Sequence, residues 1–173
     1  MIAIMVDMWK KIYSYFEKYP AQQKVVAAML SYGLSVKNGK IYCGDIELSA
    51  SKMARALKVD RRAIIMTADT IMRHKELRDF FSNLVPTCNF KEVASTVGWG
   101  VIEIIPKDAS MPGILADVAR IIADENISIR QAIVDDYVLK EEPRLYLITE
   151  KPLKGIMIEK IKKAKGVKGI VTY

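Results

Sequence analysis

Residues 101–173 contain one pattern of strand, helix and strand twice, and this internal repeat restricts the possible folds of the chain more than any other feature. Each copy opens with an apolar, β-branched run typical of a buried strand and continues with an amphipathic helix and a second strand. The first copy comprises Val101–Ile105, Pro112–Asp124 and Ile127–Val134, and the second comprises Leu145–Thr149, Pro152–Ala164 and Val167–Thr172. Two such units in tandem predict a four-stranded antiparallel sheet of order βαββαβ with both helices on one face.

The two copies differ in the connection between the first strand and the helix. The second copy uses Thr149-Glu150-Lys151 alone, whereas the first copy uses Pro106 to Met111 and then a Pro112-Gly113 pair. Chain reversal does not require the longer loop. A glycine permits close approach of the backbone, and the free N–H groups of a helix start can bind an anion or a carboxylate. The loop therefore indicates a small-molecule site; the alternative is a tight turn with proline at the first helical position.

The stretch PKDASMPGILADVARIIADENISI, with its preceding strand and the βαββαβ order, resembles an ACT domain over residues 97–173. The resemblance implies a ferredoxin-like regulatory domain that binds an amino acid and dimerises edge to edge. The ligand would lie between the first loop of one chain and the second strand of its neighbour. By position, the ligand-binding residues would be Asp108, Ala109, Ser110, Met111, Pro112, Gly113 and Ile114 in the loop, and Asn126, Ile127 and Ser128 at the start of the second strand.

The resemblance also implies individual roles for these residues. Asp108 and Ser110 would supply polar contacts, and the Ile114 N–H would donate to the ligand carboxylate. Ser128 stands where several amino-acid-binding members have an asparagine, and Asn126 lies two residues earlier. Since no aromatic or strongly charged pocket residue is evident from the sequence, we expect a small or apolar ligand side chain over a basic one.

The front half of the chain has mainly helical periodicity. A helix from about Asp7 to Tyr19 is predicted by the apolar face of Trp9, Ile12, Tyr13 and Phe16, and Pro20 ends it. A second helix, Ala21 to Tyr32, should stop at Gly33. Asn38-Gly39 is a strong hairpin signal and predicts that Leu34–Lys37 pairs with Lys40–Tyr42.

Two short helices are predicted within residues 49–74. The first would be capped by Ser49 or Ser51 and bury Met53, Ala54 and Leu57; the second would be capped by Asp60 and bury Ile64, Ala68 and Ile71. Helices joined by so short a turn are typical of the helix-turn-helix motif. The turn position that glycine usually occupies is Lys58, so we expect a longer or differently bent turn.

Five basic residues of this segment are candidates for contact with duplex DNA. They are Lys52, Arg55, Lys58, Arg61 and Arg62. Arg61 and Arg62, at the start of the second helix, would face base edges or phosphates, and the others would follow the backbone. The alternative is a helical hairpin with a solvated basic face that binds no nucleic acid.

The stretch Val97-Gly98-Trp99-Gly100 divides the chain into two halves that differ in periodicity and charge. Residues 1–96 carry 15 Lys/Arg against 9 Asp/Glu, and residues 97–173 carry 12 against 11, so the net charge of +7 belongs mainly to the front half. We therefore predict an α+β protein with a helical, helix-turn-helix-like domain at 1–96 and a ferredoxin-like domain at 97–173. No apolar run approaches the roughly 20 residues that span a bilayer, and the start does not match a signal peptide, so a cytoplasmic location is expected.

Motifs of enzymes are lacking in this sequence. Cys43 and Cys88 have no CxxC spacing, His74 is the single histidine, and neither a nucleophile–base pair nor a phosphate-binding glycine loop is evident, so we expect no metal or other cofactor. The acidic pairs Asp135-Asp136 and Glu141-Glu142 lie in the connector between the repeats and are explained by a solvated turn.

These observations favour a non-enzymatic, amino-acid-responsive regulator of transcription that acts as a homodimer through its C-terminal domain. As a whole the chain resembles archaeal-type regulators that join a helix-turn-helix-like region to an ACT domain. The alternative is a ligand-sensing subunit that docks on an enzyme of amino-acid metabolism through its basic front half.

Overall fold

The structure is a computed structural model that describes residues 9–173. These residues form two compact units that divide between Cys88 and Asn89, where the sequence had suggested a boundary between residues 96 and 97. Each unit has its own hydrophobic core. No described helix is long and apolar enough to cross a bilayer.

The first unit begins with two helices. Residues 9–14 are helical (α1), and the predicted start of this helix at Asp7 lies outside the described residues. The helix ends before residues 15–18, which form turns, so the predicted end at Tyr19 was wrong. The second helix, α2 (Pro20–Tyr32), ends as predicted at Gly33, whose left-handed conformation directs its N–H to the Met29 carbonyl.

A small antiparallel sheet follows, with strands β1 (Ser35–Lys37), β2 (Lys40–Cys43) and β3 (Ile46–Glu47). Asn38 and Gly39 have φ values of 51° and 73°, as the favoured two-residue hairpin turn requires, so the predicted hairpin is confirmed. The sequence did not predict β3, because two residues are too few to show an alternating pattern.

Three helices complete the first unit: α3 (Ala50–Leu57), α4 (Arg61–Arg73) and α5 (Lys75–Phe81). Asp60 caps α4 as predicted, since its carboxylate accepts a 2.7 Å hydrogen bond from the Arg62 N–H. Lys58 adopts the left-handed conformation (φ 53°, ψ 48°) that glycine would supply, so the turn is neither lengthened nor redirected. Of the predicted inward residues, Ala54, Ile64, Ala68 and Ile71 are buried, whereas Met53 and Leu57 are only partly buried at the edge of the same core.

The second unit has the predicted order of strands and helices. Its elements are β4 (Gly100–Pro106), α6 (Ile114–Ala123), β5 (Ile129–Val134), β6 (Leu145–Thr149), α7 (Gly155–Lys162) and β7 (Val167–Thr172). The strands form one antiparallel sheet of order β5-β6-β4-β7. The buried residues of α6 and α7 share one core with Ile102, Ile104 and Leu147, so both helices cover the same face of the sheet.

Both helices of the second unit begin later than predicted. The structure places Pro112 before α6 and Pro152 before α7, so neither proline occupies a first helical position. The strand-to-helix connections are consequently residues 107–113 in the first copy and 150–154 in the second. The difference in loop length is therefore smaller than the sequence suggested.

The opposite face of this sheet is partly covered by the segment that precedes it. A short 3-10 helix, Ala94–Val97, places Ala94 against Val101 and Ile148, with Phe90 and Trp99 packed around them. The Phe90 N–H donates to the Gln131 side chain over 2.9 Å. These contacts explain why residues 89–96 belong to the second unit.

Candidate functional site

A pocket of about 130 Å³ lies beside the 107–113 loop in the second unit. The loop contributes one side of the pocket, and the end of β5 and the start of β6 contribute the other. The lining residues are Pro106, Ala109, Met111, Gly113, Ile114, Leu115, Val134, Asp135, Pro143, Arg144 and Leu145. Most of these are apolar, so the pocket is suited to a small organic ligand with few polar groups.

Gly113 shapes the loop where it meets α6. It is the residue immediately before the helix and has φ 96° and ψ −14°, a left-handed conformation that favours glycine. Apart from its two chain neighbours, no described residue has a heavy atom within 4 Å of the position that a Cβ atom would occupy. The first N–H groups of α6, beginning at Ile114, have no acceptor within the helix and are therefore available to a ligand.

Asp108 and Ser110 hydrogen bond to each other within the loop. The Asp108 carboxylate accepts hydrogen bonds from the Ser110 hydroxyl (2.7 Å) and from the Ser110 N–H (2.9 Å). These two bonds, the hydroxyl first, lower the pKa of the exposed Asp108 carboxyl. Neither residue lines the pocket, so their contacts hold the loop in shape.

The other three predicted ligand-binding residues lie at the far end of α6. Asn126 adopts a left-handed conformation (φ 53°) that ends the helix turn, Ile127 is buried, and Ser128 is exposed. The ten residues of α6 span about 15 Å at 1.5 Å per residue. Within one chain, the structure therefore does not bring Asn126, Ile127 and Ser128 to the pocket.

Two charged residues of the pocket were not among the predicted site residues. Asp135 and Arg144 face each other where β5 leaves and β6 enters the sheet, joined by hydrogen bonds from the Asp135 N–H to the Arg144 carbonyl (2.9 Å) and from the Arg144 N–H to the Asp135 carboxylate (3.2 Å). Asp135 was expected in a solvated turn, but both residues are partly buried. The order of the strands brings both residues next to the loop, and no local sequence pattern predicts that proximity.

Arg144 also belongs to a cluster of charges on the sheet face opposite the helices. Its Nε lies 3.3 Å from Oε1 of Glu103, a carboxylate that is almost fully buried. Lys91 Nζ lies 3.3 Å from the Glu103 Oε2 atom, which also accepts a 2.8 Å hydrogen bond from the Tyr173 hydroxyl. The Lys91 ammonium lies 4.6 Å from the ring centre of Tyr146 and 4.9 Å from that of Tyr173.

The titration of this cluster favours charged Lys91 and neutral Tyr146. Burial opposes the charge of Lys91, but hydrogen bonds with Tyr173 and Glu103 outweigh it, so the pKa of Lys91 is raised. Burial, aided by the negative charges of Asp135 and Glu103, raises the pKa of the Tyr146 phenol. The Glu103 side chain contacts two basic side chains and a hydroxyl group, which are the partners that a buried acidic group requires.

In the first unit, the five basic residues predicted to contact DNA are all exposed. They lie on α3, on the turn after it and at the start of α4. Among the described residues, no carboxylate forms a salt bridge with any of their side chains, although several other surface lysines and arginines are paired. Ile65 and Met66, one turn further along α4, are each 47% exposed.

Across residues 9–173, no cluster of three or more His, Cys, Asp or Glu side chains is placed to hold a metal ion.

Comparisons with known proteins give only weak likenesses. No protein-family model matches the chain, and no curated protein matches it in sequence. Among solved structures, it is similar to a homoserine dehydrogenase from Thiobacillus denitrificans, with 21% identity and a TM-score of 0.35 over 66% of this chain and 28% of that one. The chain thus spans less than a third of that dehydrogenase.

Two other solved structures match more of their own length. A point mutant of the protein Rv3291c has 14% identity and a TM-score of 0.29, covering 86% of this chain and 85% of that one. A transcriptional regulatory protein of the AsnC family from Pyrococcus furiosus has 11% identity and a TM-score of 0.24, covering 73% and 77%. Similarities this low assign neither a fold nor a function to the chain.

Proposed function

We propose that the chain is an amino-acid-responsive regulator of transcription, in which the second unit binds a small amino acid and the first unit binds duplex DNA. The observation that carries the proposal is the pocket at the start of α6, where an apolar lining meets free helix N–H groups and two charged residues. The sequence contains no catalytic motif, and we propose a non-enzymatic role.

The pocket suits the polar ends of a free amino acid. The positive end of the α6 dipole and the N–H groups that follow Gly113 are complementary to an α-carboxylate. The carboxylate of Asp135, at the opposite wall, is an acceptor for an α-ammonium group. The pocket has a volume of about 130 Å³ and a mainly apolar lining, so a small neutral side chain fits best.

Thermal-shift screening with each of the common amino acids tests the ligand proposal. A neutral amino acid should raise the melting temperature of the wild type, because it binds the folded state alone. Gly113→Val should abolish this response, since a β-branched residue is strained at a positive φ and its side chain borders the pocket. Gly98→Val is the matched control, because Gly98 also has a positive φ and open surroundings but does not line the pocket. If no amino acid moves the wild-type transition, the second unit is a dimerisation module.

Exposed apolar residues in the first unit support a second candidate function, docking on another protein. The exposed pair Ile65 and Met66 on α4 presents apolar surface beside Arg61 and Arg62. An apolar centre with a basic rim is typical of a protein-binding surface. The chain would then be a ligand-sensing subunit that docks on an enzyme. Retention on random duplex DNA at low salt favours the DNA-binding function, and lack of retention favours docking.

A further inference from the structure

Arg144 is the point at which the pocket meets the charge cluster on the other face of the sheet. It lines the pocket, and its guanidinium group pairs with Oε1 of Glu103 at 3.3 Å. A second guanidinium nitrogen contacts Glu142 at 2.5 Å. A ligand seated in the pocket therefore lies against the residue that neutralises one oxygen of a buried carboxylate.

The other carboxylate oxygen of Glu103 contacts Lys91, which lies near the start of the second unit. Lys91 Nζ lies 3.3 Å from Glu103 Oε2, and both side chains are largely buried. Lys91 lies three residues after Cys88, the last residue of the first unit. Neighbouring contacts fasten the same segment: Phe90 donates its N–H to Gln131, and its ring meets Trp99 edge to face at 5.8 Å.

We propose that Arg144 couples ligand binding in the pocket to the attachment of residues 89–99 on the sheet, through Glu103 and Lys91. The inference rests on the proposed amino-acid-binding function and adds the means of its regulation. Gly113, Ile114 and Arg144 all line the same pocket of about 130 Å³. The α-carboxylate that accepts from the N–H groups after Gly113 therefore also competes with Glu103 for the Arg144 guanidinium, since each carboxylate is a strong acceptor for its donors.

Competition for Arg144 makes Lys91 more important for neutralising Glu103. A carboxylate as buried as Glu103 requires a compensating charge. When Arg144 turns to the ligand, Lys91 and the Tyr173 hydroxyl remain as the partners of Glu103. The Lys91–Glu103 pair therefore tightens, and residues 89–99 are held more firmly on the sheet in the liganded protein. This is a differential contact between two states, which a coupled response requires.

Trp99 provides an optical reporter for this segment. The chain has two tryptophans, so a Trp9→Phe protein leaves Trp99 as the single one. We would titrate this protein separately with L-alanine, L-serine, L-valine and L-leucine, and record Trp99 emission and melting temperature in parallel. The amino acid that raises the melting temperature should shift Trp99 emission with the same midpoint.

Two further variants in the Trp9→Phe background test the route. Lys91→Met removes the ammonium and keeps the apolar stem, so it should retain the thermal shift and lose the emission response. Glu103→Gln, which keeps the size of the side chain, should also lose the emission response. It replaces Lys91→Met as the test if Lys91→Met does not fold. Lys168→Met, an exposed position on β7, is the control and should retain both responses.

The outcomes separate this inference from the proposed function. A thermal shift without any change in Trp99 emission overturns the coupling and leaves the ligand site standing. An emission response that persists in both Lys91→Met and Glu103→Gln overturns the route through these residues. The lack of a thermal shift with every amino acid overturns the ligand site itself, and with it the coupling.

Discussion

Two glycines beside the pocket adopt left-handed conformations in different surroundings. Gly113 (φ 96°) has open space where a Cβ atom would lie. Gly166 (φ 82°) is buried, and a Cβ atom there would lie 2.8 Å from Ile114 Cγ1 and 3.1 Å from Met111 Sδ. Its carbonyl also accepts a 2.8 Å hydrogen bond from the Lys107 N–H. Gly166 thus packs against the 107–113 loop and Ile114, whereas Gly113 lines the pocket.

Alanine substitutions at these glycines should therefore differ in cost. Gly113→Ala should lower the free energy of unfolding by about 1–2 kcal/mol, the cost of a left-handed non-glycine residue. Gly166→Ala should lose about 1–3 kcal/mol more, because the added methyl group overpacks Ile114 and Met111. Urea denaturation of the two variants measures the difference. Equal losses would show that the loop moves aside without cost.

Single residues also show how far the site could be predicted. Ala109, Met111, Gly113 and Ile114, which line the pocket, could be predicted as candidates because the loop that contains them breaks the internal repeat. Asp135 and Arg144 were missed because they become neighbours of the loop only when β5 and β6 pair beside β4. Their residue types are common in solvated turns, so only the sheet topology distinguishes them.

At the scale of elements, periodicity placed the strands well and the helix starts poorly. Leu145–Thr149 and Val167–Thr172 have the predicted bounds, since β-branched residues in short runs mark buried strands. The helix starts at Pro112 and Pro152 were wrong. A proline suits a first helical turn but equally suits extended chain, and Lys154, at φ −74° and ψ 151°, keeps that connection extended up to α7.

The short helices α3 and α4 carry the prediction for DNA binding. Arg61→Ala combined with Arg62→Ala should weaken binding to duplex DNA and lower the slope of log K against log salt by up to about two, at roughly 0.9 per phosphate contact. The helix start should survive, because Asp60 is bound by the backbone N–H of Arg62 and not by its side chain. Fluorescence anisotropy at several salt concentrations measures the slope.

A charge-matched control accompanies this experiment. Lys163→Ala combined with Lys165→Ala removes two exposed positive charges from the second unit and should leave the slope unchanged. An equal reduction by both double variants would assign the effect to net charge. Unchanged binding by the Arg61 and Arg62 variant would favour docking on a protein through α4.

For the whole molecule, the division between Cys88 and Asn89 gives a test of which residues the second unit needs. A fragment of residues 89–173 should fold cooperatively, because it retains the cover of Phe90 and Ala94 over Val101 and Ile148. A fragment of residues 97–173 exposes that face and leaves Glu103 without Lys91. We expect a free energy of unfolding lower by at least about 2–3 kcal/mol, the value of burying one large apolar side chain. Equal thermal stability of the two fragments would contradict this.

Self-association is expected from the open edges of the four-stranded sheet. In the described structure β5 and β7 each pair on one side only, and exposed edges of this kind favour pairing with another strand. Val134 on β5 and Val171 on β7 add exposed apolar side chains to these edges. We therefore expect a homodimer through the second unit, with a mass by light scattering of twice the 19.5 kDa chain at micromolar concentration.

Two variants identify the edge that pairs. Ala132→Lys on β5 and Val171→Lys on β7 each place a charge on one edge at an exposed position outside the pocket lining. Because a buried, unpaired charge opposes association, one of the two proteins should be monomeric while the other remains dimeric. Pairing at β5 would also bring a second copy to the strand whose end lines the pocket, so the monomeric Ala132→Lys protein should then lose its thermal response to amino acids. A wild-type protein that is monomeric across the micromolar range would contradict the edge pairing and leave the pocket to be completed by a single chain.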